Sequence, residues 1–206
     1  MKIERFVMGM VSTNCYLIIN EETKETVIVD PADCPKRFID HITEEELKIV
    51  AVILTHGHYD HIMGIPELLT HYQVPVYACE AEEKVLTDPR ANLSAMSGGS
   101  YVYGGATYVK DGQILELAGC QFKVMHTPGH TPGGCCYYIE SEKILLSGDT
   151  LFCGSVGRTD FPGGSMSDLV RGIKEKLMVL PDDVQVLPGH MDLSTIGFER
   201  ENNPFL

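Results

Sequence analysis

Seven consecutive residues, Thr55-His56-Gly57-His58-Tyr59-Asp60-His61, carry three of the eight histidines and an aspartate. Imidazole and carboxylate at this spacing are the ligand types of zinc and of other divalent transition metals. Packing four such groups beside an apolar run would be costly without partners, and a metal ion supplies one. Three more apolar runs end in a histidine or aspartate beside glycine or proline: Met125 to Gly133 with His130, Ile144 to Thr150 with Asp149, and Val186 to His190. Glycine lets such a loop turn sharply and bring backbone close to a site. A hydrophobic core does not need four polar strand ends. His56, His58, Asp60, His61, His130, Asp149 and His190 are therefore the candidate ligands. Alone, His190 would read as a capping or core residue and Asp149 as a turn former; the cluster at 56–61 changes that reading. His41, His71 and His126 lack such context and read as surface or supporting residues.

The flanking residues say which elements must position these groups. The run Ile49-Val50-Ala51-Val52-Ile53-Leu54 reads as a buried strand, 48–54, and Ile62 to His71 as an amphipathic helix, with 55–61 as the loop between them. Before it, residues 2–8, 14–20 and 26–30 read as strands joined by short turns, an antiparallel start. Residues 35–47 read as a helix with Pro35 in its first turn. After it, 74–79 reads as a strand and 80–87 as a short helix. Ala91 to Gly105 has no period and reads as a long loop, of the kind that is often functional. Two hairpins follow, 113–117 with 120–127 and 135–139 with 143–147. Then come a helix at 166–180, a strand at 184–187 and a partly helical tail, 194–206. Helices interspersed among mixed strands predict an α/β (α+β) fold of two sheets with helices outside, in one domain spanning 1–206.

Bulk composition narrows the function class. The apolar fraction of 44% and charged fraction of 22% are those of an ordinary globular protein. The net charge of -13 argues against nucleic acid as the main partner, because phosphate binding wants a basic surface. Charges at Lys2, Glu4 and Arg5 break up any signal-peptide core, and no segment approaches a membrane span. The seven cysteines form no C-x-x-C pair and read as free thiols, buried small hydrophobes at Cys15, Cys120 and Cys135, in a reducing cytoplasm.

The motif His56-x-His58-x-Asp60-His61, followed by His130, Asp149 and His190, resembles the ligand set of the metallo-β-lactamase superfamily over nearly the whole chain. Within it the chain is most similar to short, single-domain relatives of hydroxyacylglutathione hydrolase (glyoxalase II). The stretches Ser12 to Tyr16, Thr127 to Gly133, Gly157 to Gly164 and Leu193 to Phe205 carry that further likeness. The resemblance implies an αββα sandwich with metals at the edge between two mixed sheets. It implies two divalent ions, zinc first and iron or manganese as alternatives: one held by His56, His58 and His130, the other by Asp60, His61 and His190, with Asp149 between them. Asp30 would support the loop from outside the ligand set, or simply end its strand before Pro31.

The same resemblance implies hydrolysis of a small thioester, S-lactoylglutathione-like, by a hydroxide shared between the ions. Asp60 would be a ligand first and a proton acceptor second. Tyr59 reads as pocket lining or as plain packing. Arg158 reads as a partner for an anionic substrate or as a loop salt bridge with Asp160. Full-length enzymes of this type carry a C-terminal helical region that helps bind glutathione, and the sequence given ends soon after His190, so a thioester of another thiol is also open. The alternative activity on the same motif is that of a mononuclear-iron persulfide dioxygenase. RNA processing, which the fold also supports, is disfavoured by the charge. A non-catalytic binding module would be expected to have lost ligands, and all seven are present.

Overall fold

Every residue of the strand Thr13–Ile19 is buried, yet its neighbours pack into different cores. Cys15, Leu17 and Ile19 join one apolar cluster, and Tyr16 and Ile18 another. Successive side chains of a strand point to opposite faces, so this strand has apolar layers on both sides. The computed structural model, which describes all 206 residues, repeats that arrangement in the strand Cys135–Ile139, where Cys135, Tyr137 and Ile139 join one cluster and Cys136 and Tyr138 another.

The first sheet runs β1 (Lys2–Met8), β2 (Thr13–Ile19), β3 (Glu25–Val29), β4 (Lys48–Ile53), β5 (Val76–Cys79) and β6 (Thr107–Val109) in spatial order. Pairing is antiparallel through β3 and parallel from β3 to β6. Four helices connect its strands: α1 (Lys36–Glu44), α2 (Tyr59–Ile62), α3 (Ile65–His71) and α4 (Glu83–Thr87). They cover the outer face. Phe38 and Ile42 of α1, Ile62 of α2, Ile65 and Leu68 of α3 and Leu86 of α4 share a cluster with Leu17, Ile28 and Val52.

The second sheet is built from β7 (Ile114–Leu117), β8 (Cys120–His126), β9 (Cys135–Ile139) and β10 (Ile144–Gly148), with a small separate ribbon of β11 (Leu151–Phe152) and β12 (Ser155–Val156) next in sequence. The helix α5 (Met166–Gly172) follows, then β13 (Gln185–Pro188), β14 (Ser194–Thr195) and α6 (Ile196–Asn202). The spatial order is β14-β13-β10-β9-β8-β7. The β7–β8 hairpin turns on Ala118 (φ 50°) and Gly119 (φ 76°), the two positive φ values a two-residue turn of this hand needs. Tyr16, Val29, Phe122 and Tyr137 fill the space between the sheets. Leu169 of α5, Ile173, Leu177 and Ile196 of α6 cover the outer face against Cys136, Tyr138 and Val186. The result is the αββα sandwich of two mixed sheets.

Strand direction explains where the candidate ligands collect. β9 is antiparallel to both β8 and β10, and β10 is parallel to β13. The carboxyl ends of β8, β10 and β13 therefore share one edge of the second sheet. The end of β4 meets them there: Cys135 N–H donates to the Thr55 carbonyl (2.9 Å) and the Tyr137 hydroxyl to the Leu54 carbonyl (2.9 Å).

Three local expectations change. Residues 59–61 are not loop but the first turn of a helix, and the expected helix at 62–71 is two, α2 and α3. Gly64 N–H donates to the Pro31 carbonyl (2.8 Å) instead of within the helix, and a Cβ there would fall 2.5 Å from the Asp33 carbonyl oxygen, so the two helices part against the loop after β3. The helix expected at 166–180 loosens after Gly172 into one wide turn, Ile173–Leu177, and ends ahead of Pro181. The long loop at 91–105 contains a 3-10 turn, Ser94–Met96, and leads into β6, too short for sequence alternation to reveal.

Candidate metal centre

The cluster is fastened first by Asp30, at the end of β3, only 1% exposed and with a φ of 48° that aspartate tolerates better than most residues. Its Oδ1 accepts from Thr55 N–H (2.8 Å), and its Oδ2 accepts from the Thr55 hydroxyl (2.6 Å) and His61 Nδ1 (2.9 Å). A carboxylate only accepts, so His61 Nδ1 carries a proton and Nε2 is the atom turned into the cluster. His130 is set in the same way: Nδ1 donates to the Arg158 carbonyl at 2.7 Å, which turns Nε2 into the cluster, where it is hydrogen-bonded to His58 Nδ1 at 2.9 Å.

The loop that bears His190 is held by β2. Asn14 N–H donates to the Gly189 carbonyl (2.7 Å), the Asn14 amide to the carbonyls of Pro188 (2.9 Å) and Met191 (3.0 Å), and the Tyr16 hydroxyl to Pro188 (2.8 Å). Thr13 donates to Asp60 Oδ2 at 3.3 Å. Gly189 has no room for a side chain, since a Cβ would lie 2.3 Å from Asp149 Oδ1 and 2.6 Å from the His61 ring.

All seven candidate ligands converge. Ligand atoms of His56, His58 and His130 lie within 4.8 Å of one another, as do those of Asp60, His61 and His190, and those of His56, His61 and Asp149. Asp149 stands between the groups: Oδ1 is 3.4 Å from His61 Nε2, and Oδ2 is 3.5 Å from His130 Nε2 and 3.6 Å from His190 Nε2. His56 Nε2, His58 Nε2 and Asp149 Oδ1 are buried without a hydrogen-bond partner. Buried polar atoms are nearly always paired; His58 already meets His130 through Nδ1, and the orphans His56 Nε2 and Asp149 Oδ1 beside that pair are what divalent cations would satisfy. Five imidazoles and two carboxylates on this spacing fit a dinuclear metal site.

The electrostatics divide the cluster. Burial, reinforced by the neighbouring imidazoles, holds the His56 pKa well below its usual value; burial and His130 press His58 down to about 3, so both stay neutral and able to coordinate. At His61 burial works against the charge, but Asp149, Asp60 and Asp30 raise its pKa well above the ordinary range. At His190 burial likewise opposes the charge, and Asp60 with Asp149 outweighs it. Despite their burial, Asp149 is held low by His61, His130 and His190, and Asp60 by His61 and His190. A cation meeting His61 and His190 competes with protons; one meeting His56 and His58 does not.

His58, Asp60, His130, Asp149 and His190 floor a cavity of about 480 Å³ walled by Leu93, Val156, Phe152 and Phe161, with His56 and His61 beneath it. The Phe161 ring stands edge-on to His58 at 5.7 Å between centroids. Tyr59 is half-buried and lines this cavity and a neighbouring one of about 560 Å³, so it is pocket lining. Arg158 is at the rim. Its exposed guanidinium pairs with Asp160 at 2.7 and 2.6 Å and lies 4.0 Å over Phe161, so the loop salt bridge forms in a position that still faces the cavity. His41, His71 and His126 are outside, bonded to Glu4, Glu67 and the Pro132 carbonyl. Thr55, Thr13, Asn14, Tyr16 and the buried Glu82 also shape the site. Polar Thr13 and Asn14 inside a wholly buried strand were a readable signal; Glu82 had none.

A profile of the Metallo-beta-lactamase superfamily matches residues 8–190. Hydroxyacylglutathione hydrolase GloC of Haemophilus influenzae is 35% identical over 209 residues, covering 100% of this chain and 98% of that protein. Among solved structures, the BLEG-1 B3 metallo-beta-lactamase superimposes with a TM-score of 0.93 at 36% identity, covering 100% of this chain and 99% of its own. TTHA1623 in a di-iron-bound form superimposes with a TM-score of 0.85 at 32% identity, over 98% of this chain and 100% of its own.

Proposed function

The chain belongs to the metallo-beta-lactamase superfamily, and from that membership we propose a metal-dependent hydrolase of small thioesters of the hydroxyacylglutathione type. The observation that carries the reading is the convergence of seven ligand side chains, five of which (His58, Asp60, His130, Asp149 and His190) line the 480 Å³ cavity. The full-length likeness to a protein named hydroxyacylglutathione hydrolase supports the substrate class. His56, His58 and His130 would hold one ion and Asp60, His61 and His190 the other, with Asp149 shared. Two divalent ions held there would lower the pKa of water from about 15.7 toward about 7 and draw charge from a carbonyl oxygen. Zinc is the first choice, and the di-iron relative makes iron the second.

The chain's own residues do the rest. Asp30 and the Arg158 carbonyl fix the tautomers of His61 and His130 before substrate arrives, so no ring turns during the reaction. Leu93, Val156 and Phe161 keep bulk water from the thioester carbonyl. Arg158 meets an anionic group at the rim, and Tyr59 borders the arm that reaches the neighbouring cavity. Asp60 Oδ2, 3.2 Å from His190 Nε2, is the base placed to hold a proton as the thiolate leaves. A thiolate needs no strong general acid, which suits a site without one. Seven unpaired cysteines support the cytoplasm as its compartment. The test is thiol release from S-lactoylglutathione: metal-loaded protein should turn over and chelator-treated protein should not. A fully loaded protein that cleaves no thioester contradicts the reading.

A further inference from the structure

Glu82 is a glutamate at the end of a 3-10 turn, Glu80–Glu82, with no exposed surface. Nothing cationic faces it; its hydrogen-bond partners are donors on two separate segments. Oε1 accepts from Gly57 N–H at 2.8 Å, and Oε2 accepts from the Thr131 hydroxyl at 3.0 Å and Gly133 N–H at 2.7 Å. Gly57 lies between His56 and His58, and Thr131 follows His130. One carboxylate therefore joins both segments that bear the first ligand group, and those segments leave different sheets, one after β4 and one after β8.

Close packing on both sides says the same. A Cβ on Gly133 would lie 2.2 Å from Glu82 N, and a Cβ on Gly57 would lie 3.0 Å from Leu86 Cδ2 in α4. Both segments press backbone against the turn and helix at 80–87. The second group has other supports: Asp30 for His61, Thr13 for Asp60, and Asn14 with Tyr16 for the loop of His190. No hydrogen bond of Glu82 reaches them.

We infer that Glu82 is the positioning residue of the first metal group: its carboxylate sets the distance between the His56–His58 segment and the His130 segment, and so the affinity of that group alone. The inference rests on the two-ion reading of the site. It makes Glu80–Thr87 the support for one ion, in a stretch that supplies no ligand.

The test is a cobalt(II) titration of metal-free wild type, Glu82→Gln and Thr131→Val, followed by visible absorption and by competition with a chelator. Glu82→Gln keeps the side-chain volume but puts an amide N–H₂ where a carboxylate oxygen accepted; Thr131→Val removes one donor and leaves the glutamate. His56→Ala marks which class of site belongs to the first group. The expected result is that Glu82→Gln weakens that class by roughly 10–100-fold, the range for partners that orient ligands, and leaves the other class unchanged. Thr131→Val should weaken the same class by less. Equal weakening of both classes, or a lowered melting temperature with both affinities intact, would overturn the inference and leave Glu82 a general packing residue. A wild-type protein that shows no two classes of site would overturn the two-ion reading itself.

Discussion

Replacing Asp30 by asparagine removes a charge and one acceptor while keeping the shape, and the structure says where the loss falls. The carboxylate accepts three hydrogen bonds, two from Thr55 and one from His61 Nδ1. If the amide nitrogen takes the place of Oδ1, it faces Thr55 N–H, donor against donor. If it takes the place of Oδ2, it donates to His61 Nδ1 and moves the imidazole proton to Nε2, the atom that faces Asp149 and His190. In the first case a buried N–H goes unpaired, at a cost of about 1–3 kcal/mol. In the second the second group loses a ligand atom. Orienting partners of this kind are worth about 10–100-fold in metal affinity, or about 1.4–2.8 kcal/mol. For a chain of this size each kcal/mol lost lowers the melting temperature by about 2–4 °C. Calorimetric zinc titration, with thermal unfolding of the metal-free protein, reads both effects. A folded Asp30→Asn protein with wild-type zinc affinity and an unchanged metal-free melting temperature would refute the role given to this carboxylate.

Other outcomes follow from single contacts. Gly133→Ala places a methyl 2.2 Å from Glu82 N and 2.5 Å from the Ala81 carbonyl carbon, where backbone must move; urea unfolding should show a loss of about 1–3 kcal/mol at unchanged slope. Arg158→Ala removes an exposed pair with Asp160 and should leave stability near wild type, while raising KM for an anionic thioester at nearly constant kcat in steady-state kinetics; an unchanged KM returns Arg158 to a loop role. Burial, opposed by three hydrogen bonds, raises the Glu82 pKa from the ordinary 4.5 to about 7. Because the folded-state value is the higher one, its contribution is fully present below pH 4.5 and is lost as pH rises through about 7. Urea unfolding on either side of that window should show metal-free wild type losing about 3 kcal/mol relative to Glu82→Gln.

Much of this site was legible because its ligands are crowded in sequence or stand at the ends of apolar runs. Strand alternation and helical spacing likewise disclosed the layers, since Cys15, Leu17 and Ile19 part from Tyr16 and Ile18 by period alone. What stayed hidden depends on distant partners. Glu82 meets Gly57 and Gly133, 25 and 51 residues away, and looks in sequence like another acid in a charged turn. Arg158 offers His130 its backbone carbonyl, a service no side-chain type announces. The turn Tyr59–Ile62 parts from the next helix where Gly64 N–H donates to the Pro31 carbonyl (2.8 Å), a contact made between elements.

A two-ion hydrolytic site is tested most directly by metal content taken together with turnover on the same purified protein. Two equivalents of divalent metal per chain are expected, with thiol release from S-lactoylglutathione that disappears with the metal on chelation and returns with it. A single iron per chain, with oxygen consumed on glutathione persulfide and no thioester cleaved, would contradict it.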